Sequence, residues 1–382
     1  MYLCFRHGLV PHTEDDYIMK ILTIVLNKRC LDARIVFALA ICMATALIIF
    51  TFFMPDILPL KYFFDAYGVT YFMNSGGNFV LFGDSFENTG VLLSELGFVP
   101  GVLPVLGVIL ISLSIYFAFL RGGQRIPIGL AIFACIWAVV MTIYIGQPSK
   151  ELLVAALVLA FLVMARTKYG LAFWLVLALL YACYFRQYWF VVLAMFGSTY
   201  ILGRWLNSFY RWTMLIVLYY GILAFYVDIF MGQPLSSWRN EVNVGRELDP
   251  DSMTIIASIL PGEDVLSSLI NAMGALVMLI FPLPLLMLGQ IQHLAAFALI
   301  PSSLLLAFLA NQRLLKDGRH NMQTYSAVRL LFSYIVVQGL FEPDYGSFLK
   351  HLSPFAPVIL YLLAASVPIF HRGNYFSSAY RA

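Results

Sequence analysis

Long apolar runs alternate with short polar segments along nearly the whole chain of 382 residues. Most of the runs are long enough for a helix of about 20 residues to cross a bilayer. They are continuously apolar instead of alternating, which excludes the strands of a membrane barrel. Eleven such runs lie near residues 35–54, 100–120, 126–146, 151–165, 169–185, 188–203, 212–231, 267–288, 293–310, 329–341 and 354–370.

We therefore predict an all-α, polytopic integral membrane protein with ten transmembrane helices, or eleven if every run crosses, because lipid leaves backbone groups no partner outside a helix or a closed barrel. The composition agrees, with 62% apolar, 16% aromatic and only 11% charged residues. A soluble enzyme and a disordered chain are excluded, and a net charge of +3 is too small for a nucleic-acid partner. The five cysteines show no metal-ligand spacing, and we expect neither a metal nor another cofactor.

Basic residues indicate which ends of the helices face the cytoplasm. On one side of the membrane lie 17 of the 23 Lys and Arg residues, and 15 of the 20 acidic residues lie on the other. The positive-inside rule makes the basic side cytoplasmic. We predict a cytoplasmic N-terminal segment at 1–33, a single transmembrane domain at 34–371 and a cytoplasmic tail at 372–382. The larger extracytoplasmic loops are expected at 55–99 and 232–266.

One region conflicts with eleven crossings, which would place the basic tail outside. Within 267–310 the sequence Phe281-Pro282-Leu283-Pro284 breaks the apolar pattern, since a second proline removes another helical hydrogen bond. We predict that part of this region is a re-entrant or interfacial element. The count then becomes ten.

The polar chemistry lies at the outer ends of the helices. In the first outer loop, Asp84 precedes Glu87 by three residues, as in a capping box that begins an interfacial helix ending at Gly97. Alternatively, Asp84 or Glu87 is an acid/base carboxylate that faces a lipid-linked substrate. Both interpretations stay open.

Two basic residues stand at later outer helix ends. Lys150 follows Ser149, which is read as a helix cap, and precedes Glu151 in the first turn. A cation there opposes the helix dipole, so an anionic partner such as a phosphate is indicated. Arg186 lies among aromatic residues in a tight outer turn, either reaching for headgroups or binding a phosphate with two nitrogens.

The second large loop carries Arg239 and Arg246, seven residues apart. On a helix they would share one face. They are either salt-bridged to acidic neighbours at the surface, where such pairs contribute about 0–1 kcal/mol, or they clamp a pyrophosphate.

The last outer segment places Glu342, Lys350 and His351 within ten residues. The sequence Glu-Pro-Asp-Tyr-Gly is typical of a tight, solvated turn. The adjacent Lys350 and His351 at the membrane surface favour a functional role over a simple connecting segment. A histidine can accept a proton near neutral pH.

Together these segments resemble the Wzy-type polymerases, polytopic membrane enzymes that join lipid-linked repeat units of O-antigen or capsule. The resemblance rests on four motifs that occur in order along most of the chain. They are Gly83-Asp84-Ser85-Phe86-Glu87-Asn88-Thr89, Ser149-Lys150-Glu151, Arg186-Gln187-Tyr188, and Phe341 to Phe348 followed by Lys350-His351.

The resemblance implies a metal-independent, inverting glycosyl transfer at the outer face of a bacterial inner membrane. The donor would be a growing glycan on undecaprenyl pyrophosphate and the acceptor the next lipid-linked repeat unit, with a flippase and a chain-length regulator as further partners. The pyrophosphate would be held by Lys150, Arg186, Arg239, Arg246 and Lys350. The base that takes the acceptor proton would be one of Asp84, Glu87, Glu342 and His351.

Three other functions remain as alternatives. A glycosyltransferase that uses a polyprenyl-phosphate sugar would share the outer carboxylates but add a single sugar. A surface-glycan ligase would move whole chains to a terminal acceptor. A flippase or transporter would place ionisable residues at mid-membrane, whereas the helix centres here carry almost no charge.

Overall fold

The computed structural model of the protein describes residues 30–31, 33–122, 126–203, 209–247, 254–262 and 264–367. Side chains are described from Cys42 onward, except at 209 and 245–247. The predicted cytoplasmic tail and almost all of the predicted N-terminal segment lie outside these residues.

The predicted all-α class is confirmed for the described residues. Their strand content is a single antiparallel pair of two-residue strands, β1 (Cys30–Leu31) and β2 (Ile126–Pro127). Three short 3₁₀ turns occupy Leu60–Phe63, Pro100–Val102 and Ser353–Phe355. The α-helices are α1 (Ala33–Ile57), α2 (Phe64–Ser75), α3 (Ser85–Glu95), α4 (Leu103–Gly122), α5 (Ile128–Ile145), α6 (Lys150–Met164), α7 (Lys168–Tyr184), α8 (Trp189–Ile201), α9 (Phe209–Met231), α10 (Ser237–Glu247), α11 (Val265–Ile280), α12 (Pro284–Leu288), α13 (Ile291–Lys316), α14 (Met322–Phe341), α15 (Tyr345–Leu352) and α16 (Ala356–Ser366).

Within the described residues, six helical stretches are long and apolar enough to cross a membrane, which agrees with a multi-pass membrane protein. They are Pro100–Gly122, Ile128–Ile145, Tyr210–Met231, Ile291–Lys316, Met322–Phe341 and Tyr345–Ser366. Shorter apolar helices lie at Cys42–Ile57, Lys168–Tyr184, Trp189–Ile201 and Val265–Ile280.

The centre of the bundle is formed by α14 and α16. Every residue of α16 is buried, and it packs on α4, α13 and α14. By contrast, α9 exposes most of its apolar side chains, as a lipid-facing helix does. Glycines let α4 approach its neighbours closely. A Cβ on Gly107 would lie 2.2 Å from the carbonyl oxygen of Ile145, so a small residue is required there.

The break predicted at 281–284 is present. Helix α11 ends at Ile280, and Pro284 begins the short α12. The segment before α11 pairs with the connection from α14 to α15, where the amide of Ile256 donates to the carbonyl of Pro343 at 2.9 Å. At the start of α13, His293 lies within electrostatic reach of Lys61, in the 3₁₀ turn Leu60–Phe63.

Candidate functional site

Charged side chains from three helix connections meet at one end of the bundle. Glu151 lies in the first turn of α6, and Arg186 lies in the connection from α7 to α8. Glu342 follows directly after α14, and His351 lies near the end of α15. We refer to Arg186, Glu151, His351 and Glu342 as the ionic chain, because their side chains contact one another in that order.

The contacts of the ionic chain pass through the imidazole ring. Arg186 Nη2 donates to Glu151 Oε1, and the same oxygen lies 3.4 Å from His351 Nε2. The other ring nitrogen, His351 Nδ1, contacts Glu342 Oε1. Both ring nitrogens therefore face a carboxylate, an arrangement that is fully hydrogen-bonded only when the ring carries both protons.

Burial makes this pairing obligatory. The side chains of Arg186, Glu151 and Glu342 are 6%, 0% and 2% exposed, whereas that of His351 is 19% exposed. Burial alone would lower the pKa of the Arg186 guanidinium, but the charge of Glu151 holds that pKa well above its ordinary value. His351 is thus the member of the ionic chain that a ligand can reach.

Aromatic residues fix the ionic chain in place. Arg186 Nη1 donates to the Tyr188 hydroxyl at 2.9 Å, and the Tyr188 ring stacks on Phe341 with centroids 5.6 Å apart. The Tyr334 hydroxyl donates to the backbone carbonyl of His351 at 2.9 Å. The predicted aromatic surroundings of Arg186 are therefore packed against α14 and α15.

Three further charged residues lie beside the ionic chain, within electrostatic reach of Glu151. Lys350 Nζ lies 2.5 Å from Asp65 Oδ2, with side chains 22% and 18% exposed. Burial would raise the pKa of Asp65, but the charges of Lys350 and then Lys150 hold it below its ordinary value. We refer to Asp65, Lys150 and Lys350 as the rim.

Lys150 is the rim residue without a close carboxylate among the described residues. Its ammonium lies 3.4 Å from the Ser85 hydroxyl and 3.5 Å from the centroid of the Phe86 ring. Burial, and then the like charge of Arg186, lowers the pKa of Lys150 to about 8. An anionic ligand would offset both effects, which supports the sequence-based expectation of an anionic partner.

Two carboxylate oxygens of the ionic chain are left without a hydrogen-bond donor in the described part of the protein. They are Glu151 Oε2 and Glu342 Oε2, both buried. A buried acceptor without a donor is costly, about 1–3 kcal/mol. Both oxygens are therefore buried acceptors whose cost no donor among the described residues offsets.

The connection from α14 to α15 is not solvated, although its turn-like sequence allows it. Asp344 caps α15, and its Oδ1 accepts the amide of Ser347 at 2.8 Å. Glu342 and Asp344 are only 2% and 7% exposed. The solvated interpretation is wrong because these residues are buried and the short helix α15 follows them directly.

The carboxylates of the first outer loop have structural partners. Asp84 Oδ1 accepts the amides of Phe86 and Glu87 at 2.8 and 2.9 Å, so Asp84 is the predicted cap of α3. Glu87 does not complete the capping box, because its Oε1 accepts the amide of Asn78 at 2.8 Å. Gly97, with a φ of 78°, follows the helix end as expected.

Ser149 occupies the cap position of α6, but its side chain does not act as a cap. Its hydroxyl donates to the carbonyl of Tyr144 at 2.8 Å. That bond closes the turn from α5 to α6, directly before Lys150 and Glu151.

Arg239 lies in α10, which is helical through Gly245 as the shared-face interpretation requires. It is 1% exposed, and its Nε and Nη1 have no hydrogen-bond partner among the described residues. Burial lowers its pKa. The predicted surface salt bridges are therefore wrong for Arg239, while the side chain of Arg246 lies outside the described residues.

Sequence reasoning does not identify two residues of the site, Asp65 and the partner role of Glu151. Neither has a local signal, since their partners Lys350 and Arg186 are 285 and 35 residues away in sequence. The scarcity of basic residues at these helix ends is a usable signal, because each one needs a carboxylate when it is buried.

Other features of the described residues do not add to this site. No group of three or more His, Cys, Asp or Glu side chains is placed there to hold a metal ion. An apolar groove of about 480 Å³ lies between α9 and α11, lined by Val217, Ile259 and Met273 among others. It contains none of the ionic chain or rim residues.

Comparison with protein-family models, with curated proteins and with solved structures found no match for this chain. Its function is therefore argued from the ionic chain and the rim.

Proposed function

We propose that the protein polymerises undecaprenyl-pyrophosphate-linked oligosaccharide repeat units into a surface polysaccharide at the outer face of a bacterial inner membrane. The observation that carries the proposal is the ionic chain beside the lysine rim. The ionic chain holds a reachable imidazole between two buried carboxylates, and the two lysines of the rim lie at the same helix ends. These are the groups that a glycosyl transfer from a pyrophosphate needs.

Ten membrane crossings fit this proposal and the charge distribution. The segment before α11 pairs with residues after α14, and the start of α13 lies near the first outer loop. If both ends of the α11–α12 region lie outside, that region is re-entrant. The other ten apolar runs then cross, and both termini are cytoplasmic.

Lys150 and Lys350 are the proposed ligands of the donor pyrophosphate. Both lie at the rim, where a lipid headgroup can enter, and Lys150 has no close carboxylate of its own in the described part of the chain. Charge that develops on the leaving pyrophosphate would be stabilised by fixed cations. Arg239 and Arg246 remain further candidates for this contact.

His351 and Glu342 are the proposed proton-accepting pair. The acceptor hydroxyl oxygen attacks the anomeric carbon of the donor while the bond from that carbon to the pyrophosphate oxygen breaks. The bonding electrons leave with undecaprenyl pyrophosphate. The hydroxyl proton passes to Nε2 of the neutral His351 ring, whose Nδ1–H donates to Glu342 Oε1. Arg186 and Glu151 act through His351 as positioning residues, so Arg186 is not needed as a phosphate ligand.

The test is a gel of the surface glycan from a host with and without the gene. Collapse of a long ladder to one repeat unit supports a polymerase, and His351→Asn and Glu342→Gln should then reproduce the collapse at unchanged protein level. Complete loss of the repeat indicates a single-sugar transferase or a flippase. A lipid-linked ladder that never reaches its final acceptor indicates a ligase, and an unchanged pattern overturns the proposal.

A further inference from the structure

Helix α2 has two apolar faces, and only one of them is covered by the protein. Ala66, Val69 and Met73 are buried against α3. The approach is close, since a Cβ on Gly90 of α3 would lie 2.7 Å from the Phe72 side chain. The buried face therefore holds α2 rigidly on α3.

The opposite face carries a stripe of large apolar side chains. Leu60, Phe64, Tyr67 and Tyr71 follow one another at intervals of three and four residues, as on one side of a helix. Each is between 57% and 65% exposed. A stripe this apolar on the surface of a folded protein indicates a contact with lipid or with another protein.

The stripe continues the exposed surface of α1. Phe52, Phe53 and Ile57, in the last turns of that apolar helix, are 56% to 64% exposed. Only the 3₁₀ turn Leu60–Phe63 and its two preceding residues separate them from α2. The same environment that faces the outer end of α1 therefore extends along α2.

Two contacts fix the position of the stripe relative to the site. Gln147 Nε2, before α6, donates to the carbonyl of Tyr62 at 3.0 Å. Asp65, one residue after Phe64, pairs with Lys350 of the rim. The surroundings that bind the stripe therefore also fix the position of the rim.

We propose that α2 lies in the plane of the outer membrane–water interface, with this stripe embedded in the outer leaflet. Tyrosine and phenylalanine are suited to this zone, and interfacial helices insert their apolar face about 5–10 Å below the headgroups. The rim, on the side of α2 that faces the protein, is then set at the level of lipid phosphates. This inference concerns the contact of α2 with lipid and stands whether or not the protein is a polymerase.

The test uses the full chain in vesicles of three parts phosphatidylcholine to one part phosphatidylglycerol. Tyr67→Trp and Tyr71→Trp are compared with Glu241→Trp on the exposed polar side of α10, each after subtraction of the wild-type emission. Phosphatidylcholine brominated near the carbonyl end of its acyl chains should quench the two stripe tryptophans about twofold or more, as expected for a shallow insertion. Lipid brominated near the chain end should quench them less, and acrylamide should quench only Glu241→Trp strongly.

Two outcomes would overturn the proposal. Strong acrylamide quenching of both stripe variants would place the stripe in water. Protection from both acrylamide and brominated lipid would mean that a protein covers it, either a second copy or another partner. Cross-linking of wild-type protein with a photoreactive phospholipid is an independent test that needs no variant. Absence of cross-links to peptides that contain residues 60–71 would contradict the proposal.

Discussion

Lys350 and Asp65 are 285 residues apart in sequence, yet Lys350 Nζ lies 2.5 Å from Asp65 Oδ2. The pair joins α2, near the start of the described chain, to α15, near its end. It also places a carboxylate beside the two lysines that are the proposed pyrophosphate ligands. Asp65 therefore competes with a phosphate for Lys350.

Asp65→Asn should tighten the binding of undecaprenyl pyrophosphate by about fivefold, since a partly exposed charge interaction of this kind contributes about 1 kcal/mol. The gain should shrink at high ionic strength. Calorimetry of undecaprenyl pyrophosphate binding to the purified protein in detergent, at low and high salt, measures both effects. Asp56→Asn, an exposed carboxylate at the end of α1, is the matched control and should leave the affinity unchanged. Weaker binding in Asp65→Asn would mean that Asp65 orients Lys350 instead of competing for it.

The buried pair of Arg186 and Glu151 gives a test that separates stability from activity. Glu151→Leu should destabilise the protein by about 3–5 kcal/mol, because it leaves a buried guanidinium without its carboxylate. The double variant Arg186→Met with Glu151→Leu should recover most of that stability. Thermal unfolding of the purified variants measures both effects.

Glycan polymerisation should stay lost in the double variant, because His351 has then lost the carboxylate at its Nε2. A double variant that regains both stability and a normal ladder would show that the pair only supports the fold. A double variant as unstable as Glu151→Leu would contradict the assignment of a buried ion pair.

Binding to the rim should depend on the protonation of Lys150, whose pKa is lowered to about 8. The ammonium is charged below that pH and neutral above it, so affinity for undecaprenyl pyrophosphate should fall as the pH rises from 7 to 9. An unperturbed lysine, with a pKa of about 10.4, would show no such fall. Lys150→Arg should bind across the same range with little change. A wild-type profile that is flat to pH 10 would contradict a ligand contact through a Lys150 of lowered pKa.

Asp84 should prove to be a cap and not a base. Asp84→Ala should cost about 1 kcal/mol of stability, since the first turn of α3 loses its acceptor. Asp84→Ser, which retains a capping oxygen, should restore most of it. Both variants should keep a normal glycan ladder when expressed at equal level. Loss of the ladder in a stable Asp84→Ser protein would reopen the catalytic interpretation.

The sequence by itself determined the class of protein and the approximate positions of its long apolar helices. In lipid, a long apolar run can satisfy its backbone hydrogen-bonding groups only as a helix. The hydrophobic pattern alone therefore predicts α4, α5, α9 and α13. The cap at Asp84, the stop at Gly97 and the break at Pro284 are equally local, since each depends on the backbone preferences of a few neighbouring residues.

Only the tertiary structure decided which charged residues meet. Arg186 was identified by its type and place in an aromatic turn, but its pairing with Glu151 depends on which helices lie side by side. The same holds for Lys350 and Asp65. Apolar helices in lipid carry little sequence information about their neighbours, because lipid and protein surroundings are almost equally apolar. The ionic chain therefore results from helix packing. The sequence can indicate its individual residues as candidates, but it cannot show that their side chains contact one another.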